Sequence, residues 1–443
     1  MIQFALLTLF AVVFKLLATQ YYTILAAVTA AALFFFRYLV SDAQREKIDA
    51  FLLSFGVLNY ALANRDPSYF EQLLLVFCVL PSVEKIRAIG KLIKAEGTCL
   101  LLLAYILWSH VWSAHAAMTL IGLLMSIICA GFLCGYIVTF QGNWQRILYH
   151  LLFVLSVLLV SSVLVGAMGH AMIGRTFAGV TFHRNQFGFL LGLLILFSLF
   201  LIRERLSWPP LITLVSGIAF LAYIDSKSAI ISIVVTAALW LIVSSKWWWI
   251  WSTLALAGVL AFVLTLPSPK LEYFAARMGR DPTLTDRTII WADSIKLLRE
   301  QPVTGFGYNA VWSAFENRLS QYPNAPGPKY AHPFNVWLEW GLQLGIGGML
   351  LYLVFLGAIV VRALALYRAG TDARICWQPV CVLVFVEIYN LANVSSVPLN
   401  RFGFFVLAVT SMCLFVRLHC EDDGVVDQQH LRTQACFKMV SDP

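Results

Sequence analysis

Apolar runs long enough to cross a lipid bilayer follow one another along almost the whole chain, joined by short polar corners. A helical crossing needs about 20 apolar residues. Such runs lie near 2–19, 21–40, 50–63, 70–83, 98–113, 117–139, 146–168, 187–203, 209–225, 228–244, 247–266, 336–361, 378–398 and 402–418. The third and fourth are short and fit a re-entrant pair as well as two spans, so about 12–14 transmembrane helices are expected. The runs are continuously apolar and lack the alternation of barrel strands, and backbone polar groups in lipid must be satisfied within their own segment. The pattern therefore predicts an all-α polytopic membrane protein. One long interval breaks it, from about Pro267 to His332.

Composition agrees. Apolar residues make up 60% of the chain and charged ones 12%, with a mean hydropathy of +0.80. A soluble domain carries about 25% charged residues, so that class is excluded. The first run has no basic leader and no clear cleavage site, and reads as a retained anchor. With the N-terminus in the cytoplasm, the inner loops hold 17 Lys and Arg and the short outer loops hold 5. This asymmetry places the long polar interval outside. It also accounts for the net charge of +8 without nucleic acid. On this topology none of the nine cysteines lies in an external loop. They read as small apolar residues or cytoplasmic thiols, and no Cys or His pair has zinc-ligand spacing.

The expected organisation is a single transmembrane domain over 1–419, with an external loop at about 267–335, and a short cytoplasmic tail at 420–443. Within the loop, Asp286 suits an N-cap, apolar residues follow at helical spacing, and Pro302 ends the pattern, predicting an amphipathic helix at about 286–300. Gly305 and Gly307 predict a turn, and 322–333 is rich in proline. No inverted pair of broken helices, the mark of many transporters, is apparent.

The titratable and cationic residues on the external face carry the candidate chemistry. His332 ends the loop at the mouth of an apolar helix. Imidazole titrates near neutral pH and suits a general base that activates a hydroxyl; the alternative is a histidine that orients the helix beginning near Pro333. Arg287 stands in the first turn of the amphipathic helix, where a cation opposes the macrodipole. A grip on phosphate explains it; a surface ion pair with Asp286 or Asp293 is the alternative. Lys227 sits between two apolar spans and reads as a second phosphate contact or as a partner of Asp225. His183, Arg184 and Asn185 open the span after Gln186, where a helix N-terminus attracts anions; interfacial anchoring is the alternative. Glu387 falls mid-span and is expected to face the bundle interior. A structural pairing with a basic residue is one reading of it. The run Trp247-Trp248-Trp249 with Trp251 reads as an aromatic belt.

The order of these pieces resembles the O-antigen ligase and polymerase superfamily over about residues 100–400. The matching motifs are His183-Arg184-Asn185 before Phe187-Gly188, then Ser226-Lys227-Ser228. Arg287 to Trp291 leads into Pro302 to Gly307, and His332 and Asn335 precede Gly341 to Gly348. The stretch Gly305 to Trp312 looks most like the exopolysaccharide polymerase branch. Two positions depart from the family. Phe334 stands where many members have a histidine directly before the asparagine, and Lys227 stands where arginine is common.

The resemblance implies an inverting glycosyltransferase of GT-C type that needs no metal or other cofactor. Its donor would be an oligosaccharide on undecaprenyl pyrophosphate, and its acceptor a hydroxyl of a glycan. It would lie in the bacterial inner membrane among membrane lipid, with its active site facing the periplasm. Chain-length regulator and export proteins would be further partners. In the site it implies, His332 and Arg287 are catalytic, and Lys227, Arg184, His183, Asn185 and Asn335 bind pyrophosphate or glycan, with His183 as the fallback base. Cations at the leaving pyrophosphate remove the need for a metal. An O-antigen ligase acting on lipid A core is the alternative activity. A flippase for lipid-linked saccharides is the alternative class, disfavoured because few charges lie mid-span.

Overall fold

A computed structural model describes residues 2–16, 19–62, 78, 97–173, 176–181, 183–224, 226–243, 287–314, 332–396 and 401–422. Several sequence expectations fall outside these residues. They are the spans at 70–83 and 247–266, the tryptophan run after 246, Asp225, Asp286 as an N-cap, the proline-rich stretch up to 331, and most of the tail.

The described chain is helical almost throughout, an all-α polytopic membrane fold. In order the main helices are α1 (Ile2–Leu16), α2 (Thr19–Phe36), α3 (Asp42–Leu62), α4 (Gly97–Trp108), α5 (Ala116–Thr139), α6 (Trp144–Ala167), α7 (Arg184–Glu204), α8 (Trp208–Ile224), α9 (Lys227–Val243), α10 (Arg287–Glu300), α11 (Val311–Ala314), α12 (Val336–Arg368), α13 (Ala373–Asn390) and α14 (Phe402–Asp422). Among the described residues α5, α6, α7 and α12 are long and apolar enough to cross a membrane, and five shorter apolar helices accompany them. The helix expected at about 286–300 is α10. A two-residue hairpin pairs Met172 with Phe177 in the segment before α7.

The chain forms two compact units. Unit 1 comprises 1–100, 124–233 and 398–443. Here α7 packs on α8 and α6, and α6 packs on α1 and α3. Nearly every residue of α7 from Phe187 to Leu201 is buried, so its all-round apolar surface is that of a central helix. α6 starts where the Asn143 side chain accepts the Arg146 N–H at 3.1 Å, an ordinary N-cap.

Unit 2 comprises 101–123 and 234–397. Here α10 packs on α12, and α12 on α13. α12 is not one straight rod. Gly345 leaves the helix with φ +64° and ψ −163°. The rings of Trp340 and Tyr352 stack with centroids 5.1 Å apart, and those of Trp337 and Tyr352 are 5.6 Å apart. A straight helix would put about 18 Å between residues 340 and 352, so the chain folds back at Gly345 and lays its first nine or so residues toward the remainder. The uninterrupted span expected from 336 is corrected accordingly: a short helix precedes the spanning one. The helix starts at Val336, where the apolar run was expected to begin, and Asn335 caps it.

A break in a helix orphans backbone groups, which must find partners. The turn after α10 supplies them. Phe306 N–H donates to the Leu342 carbonyl and Gly307 N–H to that of Gln343, each at 2.9 Å. The Tyr105 hydroxyl donates to the Leu344 carbonyl at 3.3 Å. On the other side of the break, Ile346 N–H donates to the Pro302 carbonyl at 2.9 Å. The two backbones approach so closely that a Cβ on Gly345 would overlap the Val303 carbonyl, and one on Gly305 would lie 2.5 Å from the Gly345 nitrogen. Both glycines have positive φ as well, so no other residue fits either place. The turn expected at Gly305 and Gly307 is thus the clasp that holds the fold-back. Phe306 and Val311 pack with Leu342 in the core beneath it.

Candidate active site

In unit 2 the corner between 332 and 335 is tightly determined. His332 is buried, and its Nδ1 accepts the N–H of Phe334 at 3.2 Å. Phe334 has φ +53°, a left-handed conformation that costs a bulky residue about 1–3 kcal/mol and persists where its surroundings impose it. They do so from both sides. The imidazole packs edge-on against the Phe334 ring at 4.3 Å, and the Arg287 guanidinium lies 5.3 Å from the centre of the same ring. The Trp291 indole donates to the Pro333 carbonyl at 2.9 Å, tying the corner to α10. Asn335 Oδ1 then accepts the N–H groups of Trp337 and Leu338 at 3.0 and 3.1 Å. Its amide donates to the Leu391 carbonyl at 3.2 Å, at the end of α13. Asp293, one of the two ion-pair partners considered for Arg287, is engaged by Lys296 at 3.2 Å; Asp286 lies outside the described residues.

In unit 1 the structure joins two motifs that sequence kept apart. His183 is the N-cap of α7, and its Nδ1 accepts the Asn185 N–H at 3.1 Å. The side-chain oxygen Oδ1 of Asn185 accepts from the Ser226 hydroxyl at 3.3 Å. One turn further along α7, a Cβ on Gly188 would meet the Ser226 side chain at 2.6 Å, so α7 touches the Ser226 corner directly. Lys227 follows as the first residue of α9. Lys15 reaches the same region from α1, donating to the Thr181 carbonyl at 2.6 Å.

One pattern recurs at three places. Arg184 and Lys227 are each the first residue of a helix and Arg287 is the first described residue of α10, and none of the three has an acid in the described first turn. A cation at that end opposes the macrodipole and weakens the helix by roughly 0.3–1 kcal/mol. Added to the inward-pointing N–H groups, it makes each helix head attractive to an anion.

Residues 211–353 match the O-antigen ligase family. The match covers 143 of the 443 residues. The resemblance to the O-antigen ligase and polymerase superfamily is borne out over it, and with it a membrane protein of glycosyltransferase type. The matched stretch contains Lys227, Arg287, His332, Asn335 and the fold-back at Gly345. His183, Arg184, Asn185 and Lys15 precede it. No curated protein matches the chain.

Two features of the matched stretch and its surroundings escaped sequence reasoning. Glu339, a buried carboxylate, accepts from the Trp312 indole at 2.9 Å and from the Gln343 amide. Gln343 Oε1 in turn accepts the Asn309 N–H at 3.0 Å. A glutamate and a glutamine four residues apart in an apolar helix were the available signal. Lys15 stood out only as a mid-span charge, and nothing local ties it to Thr181. Glu387 is met by the Tyr352 hydroxyl at 2.6 Å and the Asn390 amide at 3.4 Å, hydroxyl and amide partners beside the basic one that was one reading of it.

Proposed function

We propose that this protein transfers saccharide units from a lipid diphosphate carrier to a glycan hydroxyl at the external face of the bacterial inner membrane, as a polymerase of exopolysaccharide or O-antigen repeats. The observation that carries this reading lies in unit 2, where the Arg287 guanidinium and the buried His332 imidazole border the Phe334 ring at 5.3 and 4.3 Å. A sugar diphosphate ester leaves as an anion, so its departure needs positive charge and N–H donors rather than an acid. Guanidinium groups match phosphate oxygens in pairs, and an ammonium serves as a point charge. In the transfer, the acceptor oxygen forms a bond to the anomeric carbon. The bond from that carbon to the phosphate oxygen breaks, and its electron pair stays with the diphosphate. Attack from the opposite side inverts the anomeric centre. Arg287 and His332 would face the reacting groups, with Asn335, Arg184, His183, Asn185 and Lys227 binding diphosphate or glycan.

The test is the glycan made by cells carrying Arg287→Ala, with membrane insertion verified. A polymerase leaves single lipid-linked units on the outer face. A ligase instead leaves finished polymer on its lipid carrier. A flippase leaves units on the cytoplasmic face, and that result would overturn the transferase reading.

A further inference from the structure

Thr181 is fully buried, so its carbonyl must find a donor. The donor is the Lys15 ammonium, 166 residues away in the last turn of α1, at 2.6 Å. The Thr181 hydroxyl donates to the Ala178 carbonyl at 2.7 Å and lies 3.1 Å from that of His183. The same corner is held at two further points. Ser162 of α6 accepts the Val180 N–H at 3.2 Å, and the Gln186 amide donates to the Ala61 carbonyl of α3 at 3.2 Å. Helices α1, α3 and α6 thus fix the chain on both sides of His183, and with it the head of α7, all within unit 1. All three precede the stretch that matches the O-antigen ligase family. A neutral donor would satisfy a carbonyl. An ammonium in an apolar helix costs more, and such charges mark functional places. In the last turn of α1 it complements the macrodipole, but an ammonium turned to water would serve that equally. A charged donor makes the stronger bond, so Thr181 is pinned firmly two residues before His183.

We propose that Lys15 is a positioning residue for saccharide transfer. By pinning Thr181 it sets the place of His183, Arg184 and Asn185 at the head of α7, where the diphosphate binds. The proposal rests on the lipid-diphosphate reading above, in which this head contacts the anion. Lys15 acts through the corner and not by touching the reacting atoms. It makes the first helix of the chain part of the substrate site's support. A misplacement of about 1 Å at a binding group costs up to about 10²-fold in rate.

Lys15→Met keeps an apolar stem and removes the donor, and Lys15→Arg restores a charged donor. Membranes from a strain lacking the gene, loaded with their own accumulated lipid-linked saccharide, supply the substrate for purified protein. Rates are taken per folded protein, counted from the thermal transition, so that lost stability does not register as lost activity. Lys15→Met is expected to lower kcat/KM about 10–10²-fold. Lys15→Arg should stay within about threefold of wild type, because either side chain can donate to one carbonyl. Adding Lys15→Met to Arg184→Ala should cost less than about threefold more, since groups that act as one unit are not additive. Full kcat/KM in Lys15→Met leaves only a structural bond and overturns the proposal. A double variant that multiplies the two single losses makes Lys15 an independent group and overturns it as well. Binding of inorganic diphosphate to the same proteins, measured by calorimetry, is read apart from turnover. Lys15→Met should weaken it about tenfold. Equal affinity in wild type and Lys15→Met overturns the role of Lys15 alone. Wild-type protein that neither converts lipid-linked saccharide nor binds diphosphate overturns the lipid-diphosphate reading, and the role of Lys15 with it.

Discussion

His183 in unit 1 and His332 in unit 2 bend the chain in the same way, each accepting the N–H two residues onward, at 3.1 and 3.2 Å. Their surroundings differ. His183 is itself the N-cap, in an extended conformation with φ −151°, and its cation Arg184 is the next residue. His332 stands three positions before its cap, Asn335, with the strained Phe334 at φ +53° between them. Its cation comes from α10, and the indole of Trp291, 42 residues away in sequence, holds Pro333. The turn of the first corner is made between neighbours in sequence, and Lys15 and Ser226 reach it from elsewhere in unit 1. The second exists only once α10, the clasp and the fold-back are in place. Unit 2 therefore needs long-range contacts to hold a strained turn, where in unit 1 they surround a relaxed one.

That contrast can be broken most severely at the clasp. Gly345→Ala drives a Cβ into the Val303 carbonyl and forces an L-residue into positive φ. The expected cost exceeds about 3 kcal/mol, seen as loss of folded protein on thermal unfolding in detergent. Gly357 has open space at its Cβ position, and Gly357→Ala is expected to gain about 0.5–1 kcal/mol from helix propensity. Equal stability of the two variants would show that the fold-back is not needed.

Next in size come the cations. Arg287→Ala and Arg184→Ala are each expected to slow transfer about 10²–10³-fold, measured as conversion of lipid-linked saccharide. Arg287→Lys should restore only part of this, because a point charge lacks the planar fork that binds oxygens in pairs and lies on the Phe334 ring. Full activity of Arg287→Ala would confine the anion contacts to unit 1.

The sequence made the helices and the motif order readable because apolar length and helix-stop residues act locally. The expected spans at 117–139, 146–168 and 187–203 and the helix at 286–300 correspond to α5, α6, α7 and α10 within a few residues. What it could not convey was pairing. The contact of Asn185 and Gly188 with Ser226 crosses about 40 residues. Gly345 lies within a predicted span and Gly305 within a predicted turn, whereas they are two sides of one backbone contact. The stretch from Gly305 to Trp312, which suggested a particular branch of the superfamily, is largely accounted for by packing. Phe306, Tyr308 and Val311 are buried, and Trp312 serves Glu339.

Two smaller effects sharpen the comparison from the side of unit 1. Lys15→Met removes a charged donor from the Thr181 carbonyl, two residues before His183. It should lower stability by about 1.5–3 kcal/mol, with Lys15→Arg largely restoring the thermal transition. An unchanged transition in Lys15→Met would mean that the local sequence holds this corner unaided. Ser226→Ala removes a long bond to Asn185, 3.3 Å, and is expected to cost about 0.5–1.5 kcal/mol. A larger loss would give the α7 contact more weight than its geometry suggests.

The fold-back also separates two quantities that hydropathy merges. The part of α12 after Gly345 is roughly 34 Å long at about 1.5 Å per residue, enough for a hydrocarbon layer of about 30 Å. The apolar stretch before it adds length to the hydrophobic run but no crossing. Inserting or deleting that stretch would alter a hydropathy profile while leaving the parity of the topology, and so the side on which every later loop emerges, unchanged.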